Sequence, residues 1–356
     1  MMARAAIATM MTGGVAQGVF PGAVHAVGMP DGSMRQRAYG FHQYDAHTPA
    51  VTIETLYDWA SLTKIVCATA ALRLIATGRV ALQDPVARYV PTRAKAVTIA
   101  HLLTHTAGLD VRLSTAAQQG ADALWQTVLA TLPSNPPGTQ VAYANVNSLL
   151  LGRVISTVTG LTLADALRVM VLEPAQMLQT QFNPPMNLWP QIPPTERDPI
   201  RGVVHGTVHD ESTAVLGGVT GHAGLFGPVG DAIRFGQGWL ASLNGMSPWG
   251  IPRALAQTAV TNQSPAGQLG CGLGWMVARD TFMGAAVDAT AAHTGFTGPL
   301  VAIVPVRGYC WALLSNRTWP VRTPARHHAI SAQVSSALGQ ADDGFEEGLD
   351  GYTTYR

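Results

Sequence analysis

Ser61 and Lys64 are the two residues whose types and spacing most directly suggest catalysis. Residues three positions apart lie on one face of a helix, so these side chains could touch. A serine hydroxyl becomes a good nucleophile when a neighbouring base, such as a buried lysine, removes its proton. At the start of a helix, free backbone N–H groups could also stabilise an oxyanion. The alternative is that Ser61 caps the helix and Lys64 lies on a solvated face.

Two later segments could complete such a site. Tyr143 and Asn145 precede a predicted helix, and a tyrosine placed there can share a proton with a lysine and act as a general base. The alternative is a core tyrosine followed by an asparagine helix cap. His293, Thr294 and Gly295 end an apolar strand, whose edge could supply a second oxyanion donor and bind an extended substrate. Here the alternative is an ordinary junction between a strand and a turn.

Taken in this order, the three segments resemble the serine β-lactamase and penicillin-binding-protein family. The resemblance is strongest to its branch of class C β-lactamases, D-Ala-D-Ala carboxypeptidases and family VIII esterases, and it spans nearly the whole chain. Ser-x-x-Lys is itself a motif of this wider family. The resemblance is carried by residues 55–64 (TLYDWASLTK), 101–109 (HLLTHTAGL), 143–145 (YAN), 221–226 (GHAGLF) and 272–275 (GLGW).

The resemblance implies a role for each candidate residue. Ser61 would be the acylated nucleophile, and Lys64 and Tyr143 would form the proton-transfer pair. Asn145 would hydrogen-bond the substrate amide or the lysine. The backbone N–H groups of Ser61 and Phe296 would form the oxyanion hole.

His293 departs from the family pattern. β-Lactamases usually have Lys-Thr-Gly where this chain has His293, Thr294 and Gly295, the residues that would bind the substrate. The family lysine offers a fixed positive charge to the carboxylate of penicillins and D-Ala peptides, whereas a histidine is only partly charged near neutral pH. Carboxylate recognition should therefore be weak or pH-dependent.

The resemblance predicts a serine hydrolase that forms an acyl-enzyme at Ser61. It would act on an amide, β-lactam or ester carbonyl of a small-molecule or peptide substrate, with weak rather than efficient β-lactamase activity. A non-catalytic sensor of peptidoglycan fragments is the alternative. The motifs specify neither the natural substrate nor the oligomeric state.

The distribution of strand and helix patterns predicts an α/β (α+β) fold. Short apolar strands occur near both ends of the chain, with helical patterns between them. We expect an antiparallel sheet flanked by the terminal helices plus an all-helical lobe, which is the β-lactamase/transpeptidase-like fold. The strands are predicted at residues 21–28, 34–41, 274–278, 284–293, 299–304 and 309–315, and the main helices at residues 1–20, 61–76, 98–103, 122–132, 145–158, 163–172 and 324–338.

A chain of this length is expected to form two lobes. Residues 1–85 and 266–345 would form a discontinuous α/β lobe, and residues 86–265 a mainly helical lobe. Residues 346–356 would be a loosely packed tail. The Pro-rich stretch at residues 183–199 is predicted to be an ordered loop or flap.

Composition narrows the class of protein. The 356 residues are 47% hydrophobic and 12% charged, with a formal net charge of +1, which is typical of a globular protein without a nucleic-acid-binding surface. The three cysteines do not suggest a disulfide framework, and no cofactor is predicted. His205 and His209 could suggest a metal site together with His222. However, Gly206 argues against a helix that presents the first two histidines on one face, so no metal is predicted.

The N-terminal segment bears on location. Residues 1–20 resemble a signal peptide in apolarity, but glycines interrupt the run, so a first helix is predicted. No apolar run reaches the ~18 residues of a membrane span. A cytoplasmic protein is expected, with a periplasmic or secreted protein as the alternative if a signal peptide was removed.

Overall fold

A seven-stranded antiparallel sheet organises the two ends of the chain. The computed structural model describes residues 2–284, 290–322, 324–340 and 353–355. Within these residues, the neighbouring strands of the sheet are, in spatial order, Thr353–Tyr355 (β12), Met34–Gly40 (β2), Gly22–Gly28 (β1), Tyr309–Ser315 (β11), Leu300–Val304 (β10), Ala291–Thr294 (β9) and Met276–Val277 (β8).

Strand β1 shows why the sheet sequences are so apolar. All of its residues are buried, and Ala26 pairs with Ala312 on one side and with Gln36 on the other. Helices α1 (Met2–Ala16) and α12 (His327–Gln340) pack on one face of the sheet, and α9 (Val229–Leu243) packs on the other. A strand that is covered on both faces carries a continuous apolar run rather than an alternating one. The predicted antiparallel sheet and its two terminal helices are confirmed.

The other helices lie mainly between β2 and β8 in the chain and enclose the larger hydrophobic core. Within it, α2 (Thr63–Ala76) packs against α6 (Asn145–Thr159). The remaining α-helices are α3 (Ile99–Leu103), α4 (Leu113–Ala117), α5 (Ala121–Ala130), α7 (Leu163–Leu167), α8 (Glu211–Val215), α10 (Arg253–Val260) and α11 (Asp280–Met283). A π-helix at Arg168–Leu172 continues α7. Two small sheets pair β3 (Tyr57–Asp58), β7 (Leu225–Gly227) and β4 (Gln181–Phe182), and β5 (Glu196–Asp198) with β6 (Gly202–Val204).

In the part of the chain that the structure describes, no single helix has the length and apolarity needed to cross a membrane. One bent pair, Asn145–Thr159 with Leu163–Leu172, meets both criteria only when its two helices are combined across an 84° bend.

The strand predicted at residues 284–293 is wrong at its first residue, Gly284. Gly284 follows the short helix α11 with a φ of 58°, and β9 begins only at Ala291. Residues 285–289 of that prediction lie outside the described residues. Short apolar runs do not distinguish strands from helix ends, because both bury small hydrophobic side chains.

The Pro-rich stretch at residues 183–199 contains more regular structure than the predicted loop. A 3-10 helix covers Met186–Gln191, and β5 forms a hairpin with β6. The Asp198 side chain accepts the backbone N–H groups of Ile200 and Arg201, at 2.8 Å each, and stabilises the turn between the strands.

The predicted tail at residues 346–356 is described only at Thr353–Tyr355. These residues form an edge strand that pairs with residues 34–36 of β2, and the loosely packed tail stays a prediction. The rest of the tail lies outside the described residues. The lobe boundaries at residues 85, 265 and 345 stay a prediction.

Candidate active site

Ser61 lies in a 3-10 turn, Ala60–Leu62, between β3 and α2. Helix α2 therefore begins at Thr63, two residues later than predicted, and its N-cap is Leu62 rather than the serine. Ala60 has a φ of 44°, a left-handed conformation that is uncommon for any residue other than glycine. This turn places Ser61 on the wall of a cleft of about 740 Å³.

Lys64 lies on the first turn of α2 and is 2% exposed, so it is not on a solvated face. Its Nζ donates to Ser61 Oγ at 2.8 Å and to the backbone oxygen of His222 at 3.3 Å. The structure thus brings Ser61 and Lys64 into contact, as their spacing in the sequence predicts. The His222 carbonyl fixes the direction in which Nζ points.

Tyr143 precedes α6 and is 46% exposed on the cleft wall. Lys64 Nζ lies 4.8 Å from the centroid of its ring. Among the described contacts, the lysine meets the face of the phenol ring, and no hydrogen bond joins it to the phenol oxygen. This differs from the hydrogen-bonded pair that proton transfer needs. Such contacts often tighten only when substrate is bound.

Asn145 is the first residue of α6, whose N-cap is Ala144. Its Nδ2 lies 3.5 Å from Asp210 Oδ2, and the contacts that the structure describes for Asn145 do not include the expected hydrogen bond to Lys64. Asp210 also lies 3.1 Å from His222 Nε2 through its other oxygen. Burial raises the pKa of Asp210, but the hydrogen bond and charge of His222 outweigh burial, so its pKa is lowered. Asp210 thus connects Asn145 with the histidine that holds Lys64.

The end of β9 forms the opposite wall of the cleft. Thr294, Gly295 and Phe296 all line it, and Phe296 is 48% exposed. A Cβ atom at Gly295 would lie 2.6 Å from the backbone oxygen of Trp59. Only glycine therefore lets this strand approach the Ala60–Leu62 turn so closely. The backbone carries Phe296, the predicted oxyanion donor, into the same cleft as Ser61.

Comparison with known proteins identifies the family. The family model described as Beta-lactamase matches residues 7–335. This chain belongs to the Beta-lactamase family. It is 31% identical over 340 residues to the protein named "Putative D-alanyl-D-alanine carboxypeptidase" of Salmonella typhimurium. The aligned region covers 81% of this chain and 77% of that relative.

Solved structures are similar to this family member in fold. The "Beta-Lactamase/D-Alanine Carboxypeptidase" from Pseudomonas syringae has a TM-score of 0.77 at 20% identity and covers 96% of this chain and 100% of its own. A second structure, titled "EstCE1, a hydrolase with promiscuous acyltransferase activity", has a TM-score of 0.74 at 19% identity. The match covers 94% of this chain and 98% of that structure's chain. The β-lactamase/transpeptidase-like fold predicted from the sequence is confirmed, and this Beta-lactamase family member is a serine hydrolase.

His293 of this Beta-lactamase family member is not the partly charged histidine that the sequence predicts. It is 1% exposed, and its Nδ1 lies 2.9 Å from the backbone oxygen of Thr294. Burial, reinforced by the positive charge of Lys64, holds the pKa of His293 well below its ordinary value. The imidazole is therefore neutral at physiological pH, and it packs against the ring of Tyr143 with 5.9 Å between centroids. The lysine of the usual motif is replaced by a neutral packing residue.

His105 is a site residue to which the sequence argument assigned no role. Its Nδ1 lies 3.3 Å from the backbone nitrogen of Ala144 and 3.0 Å from Asn147 Nδ2, and its ring packs at a tilt against that of Tyr143. Burial, and then the charges of Lys64 and Arg279, lower the pKa of His105 to about 3. A neutral ring can accept these hydrogen bonds and fix the tyrosine loop. Its place in the segment 101–109 was the available signal.

A group of charged residues at the cleft was not predicted from the sequence. Arg322 donates to both carboxylate oxygens of Glu196 and also contacts Glu211. Arg317 Nε donates to the backbone oxygen of Phe296 at 2.8 Å, and its guanidinium lies over that ring. These partners are far apart in the chain, so nothing in the local sequence indicated that they meet.

The three histidines considered as metal ligands contact different groups. His205 Nε2 lies 3.0 Å from the backbone oxygen of Trp189, and His209 Nε2 lies 3.0 Å from Glu196 Oε2, while His222 faces Asp210. Within the described residues, no group of three or more His, Cys, Asp or Glu side chains is placed to hold a metal ion. Trp189 packs on His205, outside the cleft lining.

Proposed function

We propose that this protein is an acyl-enzyme hydrolase in which Ser61 is the nucleophile. The observation that carries the proposal is the 2.8 Å hydrogen bond between Lys64 Nζ and Ser61 Oγ. A base at that distance can take the hydroxyl proton while Oγ attacks a carbonyl carbon. The cleft beside Ser61 has room for a substrate and is open to solvent.

In the acylation step, a bond forms between Ser61 Oγ and the carbonyl carbon, and the hydroxyl proton passes to the unprotonated amine of Lys64 or to the phenolate of Tyr143. The carbonyl oxygen becomes an oxyanion that the N–H groups of Ser61 and Phe296 stabilise. The bond to the leaving group then breaks, and the leaving alcohol or amine takes up the proton. In deacylation, water attacks the ester, gives a proton to the same pair, and releases the acid and free Ser61.

The proposed substrates are esters and amides that do not depend on a carboxylate contact at the end of β9. The neutral His293 offers no charge to a penicillin carboxylate, so we expect weak β-lactamase activity and faster turnover of simple esters. The Salmonella relative is named as a putative D-alanyl-D-alanine carboxypeptidase, which places D-Ala peptides among the substrates to test. Asn145 would orient the substrate amide from the facing wall.

Covalent labelling tests the proposal. The purified protein is incubated with a fluorophosphonate or a fluorescent penicillin, and the modified peptide is located by mass spectrometry. Label is expected on Ser61 and is expected to disappear in Ser61→Ala. Ser114, a second serine on the same cleft, gives the matched control Ser114→Ala, which should label as the unchanged protein does.

Label that persists in Ser61→Ala would disprove the assignment of the nucleophile. Binding of peptidoglycan fragments without labelling or turnover would favour the sensor instead. A panel of esters, penicillins, cephalosporins and D-amino-acid peptides then ranks the substrates by kcat/KM. A penicillin rate equal to that of simple esters would contradict the proposed preference.

A further inference from the structure

Asp58 is a buried residue that hydrogen-bonds to three separate segments around the cleft, to two of them through its carboxylate and to the third through its backbone oxygen. It is 2% exposed at the end of β3. Its Oδ1 accepts the backbone N–H of Ala60 at 2.8 Å, and its Oδ2 accepts the backbone N–H of His209 at 2.7 Å. Its backbone oxygen accepts the hydroxyl of Thr297 at 2.8 Å. One residue thus fixes three neighbours by hydrogen bonds.

Two of these neighbours adjoin a residue of the proposed mechanism. Ala60 precedes the nucleophile Ser61, and Thr297 follows Phe296, the second oxyanion donor. His209 lines the cleft. Ala60 holds an unfavourable left-handed conformation, so its N–H needs a fixed acceptor to keep the turn in place. The Asp58 carboxylate supplies that acceptor.

The chemistry of this contact requires a carboxylate. Both of its oxygens face backbone N–H donors, and an asparagine would turn an NH₂ group toward one of them. Burial raises the pKa of Asp58, while the N–H groups of His209 and Ala60 act in the opposite direction. Buried acceptors with two donors are expensive to lose, because each orphaned N–H remains without water.

We propose that Asp58 is a positioning residue that sets the spacing between the Ser61 and Phe296 sides of the oxyanion hole. The inference rests on the proposed function, because it concerns how that site is held together. Among the described contacts, Asp58 neither lines the cleft nor hydrogen-bonds to Ser61, so its carboxylate acts through Ala60 and its backbone oxygen through Thr297. Loss of this spacing weakens the contacts made in the transition state more than it weakens substrate binding.

Asp58→Asn separates this role from a general loss of stability. We expect kcat for a simple ester to fall about 100-fold with KM nearly unchanged, since small misplacements of catalytic groups have effects of this size. The matched control is Asp231→Asn. Asp231 is also buried and accepts Gln179 N–H and the Thr180 hydroxyl, but it lies on α9 outside the cleft lining. It should lower the melting temperature without lowering kcat.

Thr297 provides a milder pair of variants if Asp58→Asn does not fold. Thr297→Val removes the hydroxyl that binds Asp58 and should lower kcat about tenfold, whereas Thr297→Ser keeps the hydroxyl and should retain kcat. A kcat loss in Asp58→Asn no larger than in Asp231→Asn, or one expressed mainly as a raised KM, would overturn the inference. So would equal activity of the two Thr297 variants.

Labelling separates failure of this inference from failure of the proposed function. If the unchanged protein takes no fluorophosphonate at Ser61, the proposed function fails. If it is labelled and Asp58→Asn is labelled at the same rate, only the positioning role fails. Slower labelling in Asp58→Asn, with Asp231→Asn unchanged, supports both.

Discussion

The ring of His105 packs against that of Tyr143 with 4.7 Å between centroids, and its Nδ1 faces the N–H of Ala144, the next residue in the loop. The histidine therefore holds both the ring and the backbone of the proposed proton carrier. His105→Phe keeps a ring for stacking but removes the acceptor. We expect kcat to fall at least tenfold, and the free energy of unfolding to fall by about 1–3 kcal/mol, because the buried amide of Asn147 and the part-buried N–H of Ala144 lose their acceptor.

A second histidine in the same segment provides the control for His105→Phe. His101 Nδ1 accepts the N–H of Thr98 and completes a capping box at the start of α3. His101→Phe should lower stability by about 1 kcal/mol through the lost cap and leave kcat unchanged. Urea unfolding and ester hydrolysis are measured for both variants. An equal effect on kcat would show that His105 acts only on stability.

Tyr143→Phe tests whether the phenol oxygen carries a proton. The variant keeps the ring face on which Lys64 lies, so the lysine should stay in place. If Tyr143 is a general base, the acylation rate should fall about 10²–10⁴-fold. Stopped-flow release of the leaving group from an activated ester measures that rate. Tyr44, whose hydroxyl binds the Gly18 carbonyl away from the cleft, gives the control Tyr44→Phe.

If the acylation rate of Tyr143→Phe stays within about twofold of that of the unchanged protein, the loss is too small for general-base catalysis by Tyr143. Lys64 would then remain as the base. The present contact, through the ring face rather than through oxygen, makes this test informative.

The sequence predicted those parts of the site that depend on local spacing. Ser61 and Lys64 meet because the 3-10 turn of Ser61 leads directly into α2, so that residues three apart in the chain lie on the same side. Strands β1, β10 and β11 were predicted because sheet burial on both faces leaves uninterrupted apolar runs. Both features are visible within about ten residues of chain.

Contacts between distant segments could not be predicted in this way. Asp58 meets His209 and Thr297 only in the folded chain, and no local pattern distinguishes it from a surface carboxylate. The neutral state of His293 likewise follows from burial among Lys64 and Tyr143, which composition does not reveal. The family resemblance predicted which residue types form the site. The charge state of His293 and the hydrogen bonds of Asp58 depend on tertiary packing.

The neutral His293 predicts how carboxylate recognition depends on pH. We compare two esters that differ only in a carboxylate near the scissile bond. Because the pKa of His293 is far below 6.5, their ratio of kcat/KM should stay constant between pH 6 and 8. His293→Lys should raise the ratio about tenfold in favour of the charged ester, since charge-assisted hydrogen bonds are worth about 1.5–3 kcal/mol. His293→Gln, neutral like the original, should leave it unchanged.

A ratio that rises severalfold as the pH falls from 8 to 6 would contradict this view, because it would require a histidine that titrates in that range. An unchanged ratio in His293→Lys would place the carboxylate subsite elsewhere in the cleft.

His25 on β1 makes a prediction about stability that is independent of the cleft. It is fully buried near Trp311, and both of its ring nitrogens lack a hydrogen-bond partner among the described atoms. Burial lowers the pKa of His25 to about 4. The unfolded chain binds a proton below pH 6.5 while the folded chain does not. This residue's contribution to stability is therefore complete above pH 6.5 and is lost as the pH falls toward 4.

At pH 5, the mismatch in pKa amounts to about 2 kcal/mol of lost stability relative to pH 8. His25→Leu removes the titrating group and fills the same apolar face, so the difference in the free energy of unfolding between pH 8 and pH 5 should shrink by about that amount. Urea unfolding at both pH values measures it, with exposed His47→Leu as the control. His42, His105 and His327 also have lowered pKa values, so a smaller acid sensitivity should persist in His25→Leu. An undiminished difference would mean that His25 is already protonated in the folded chain.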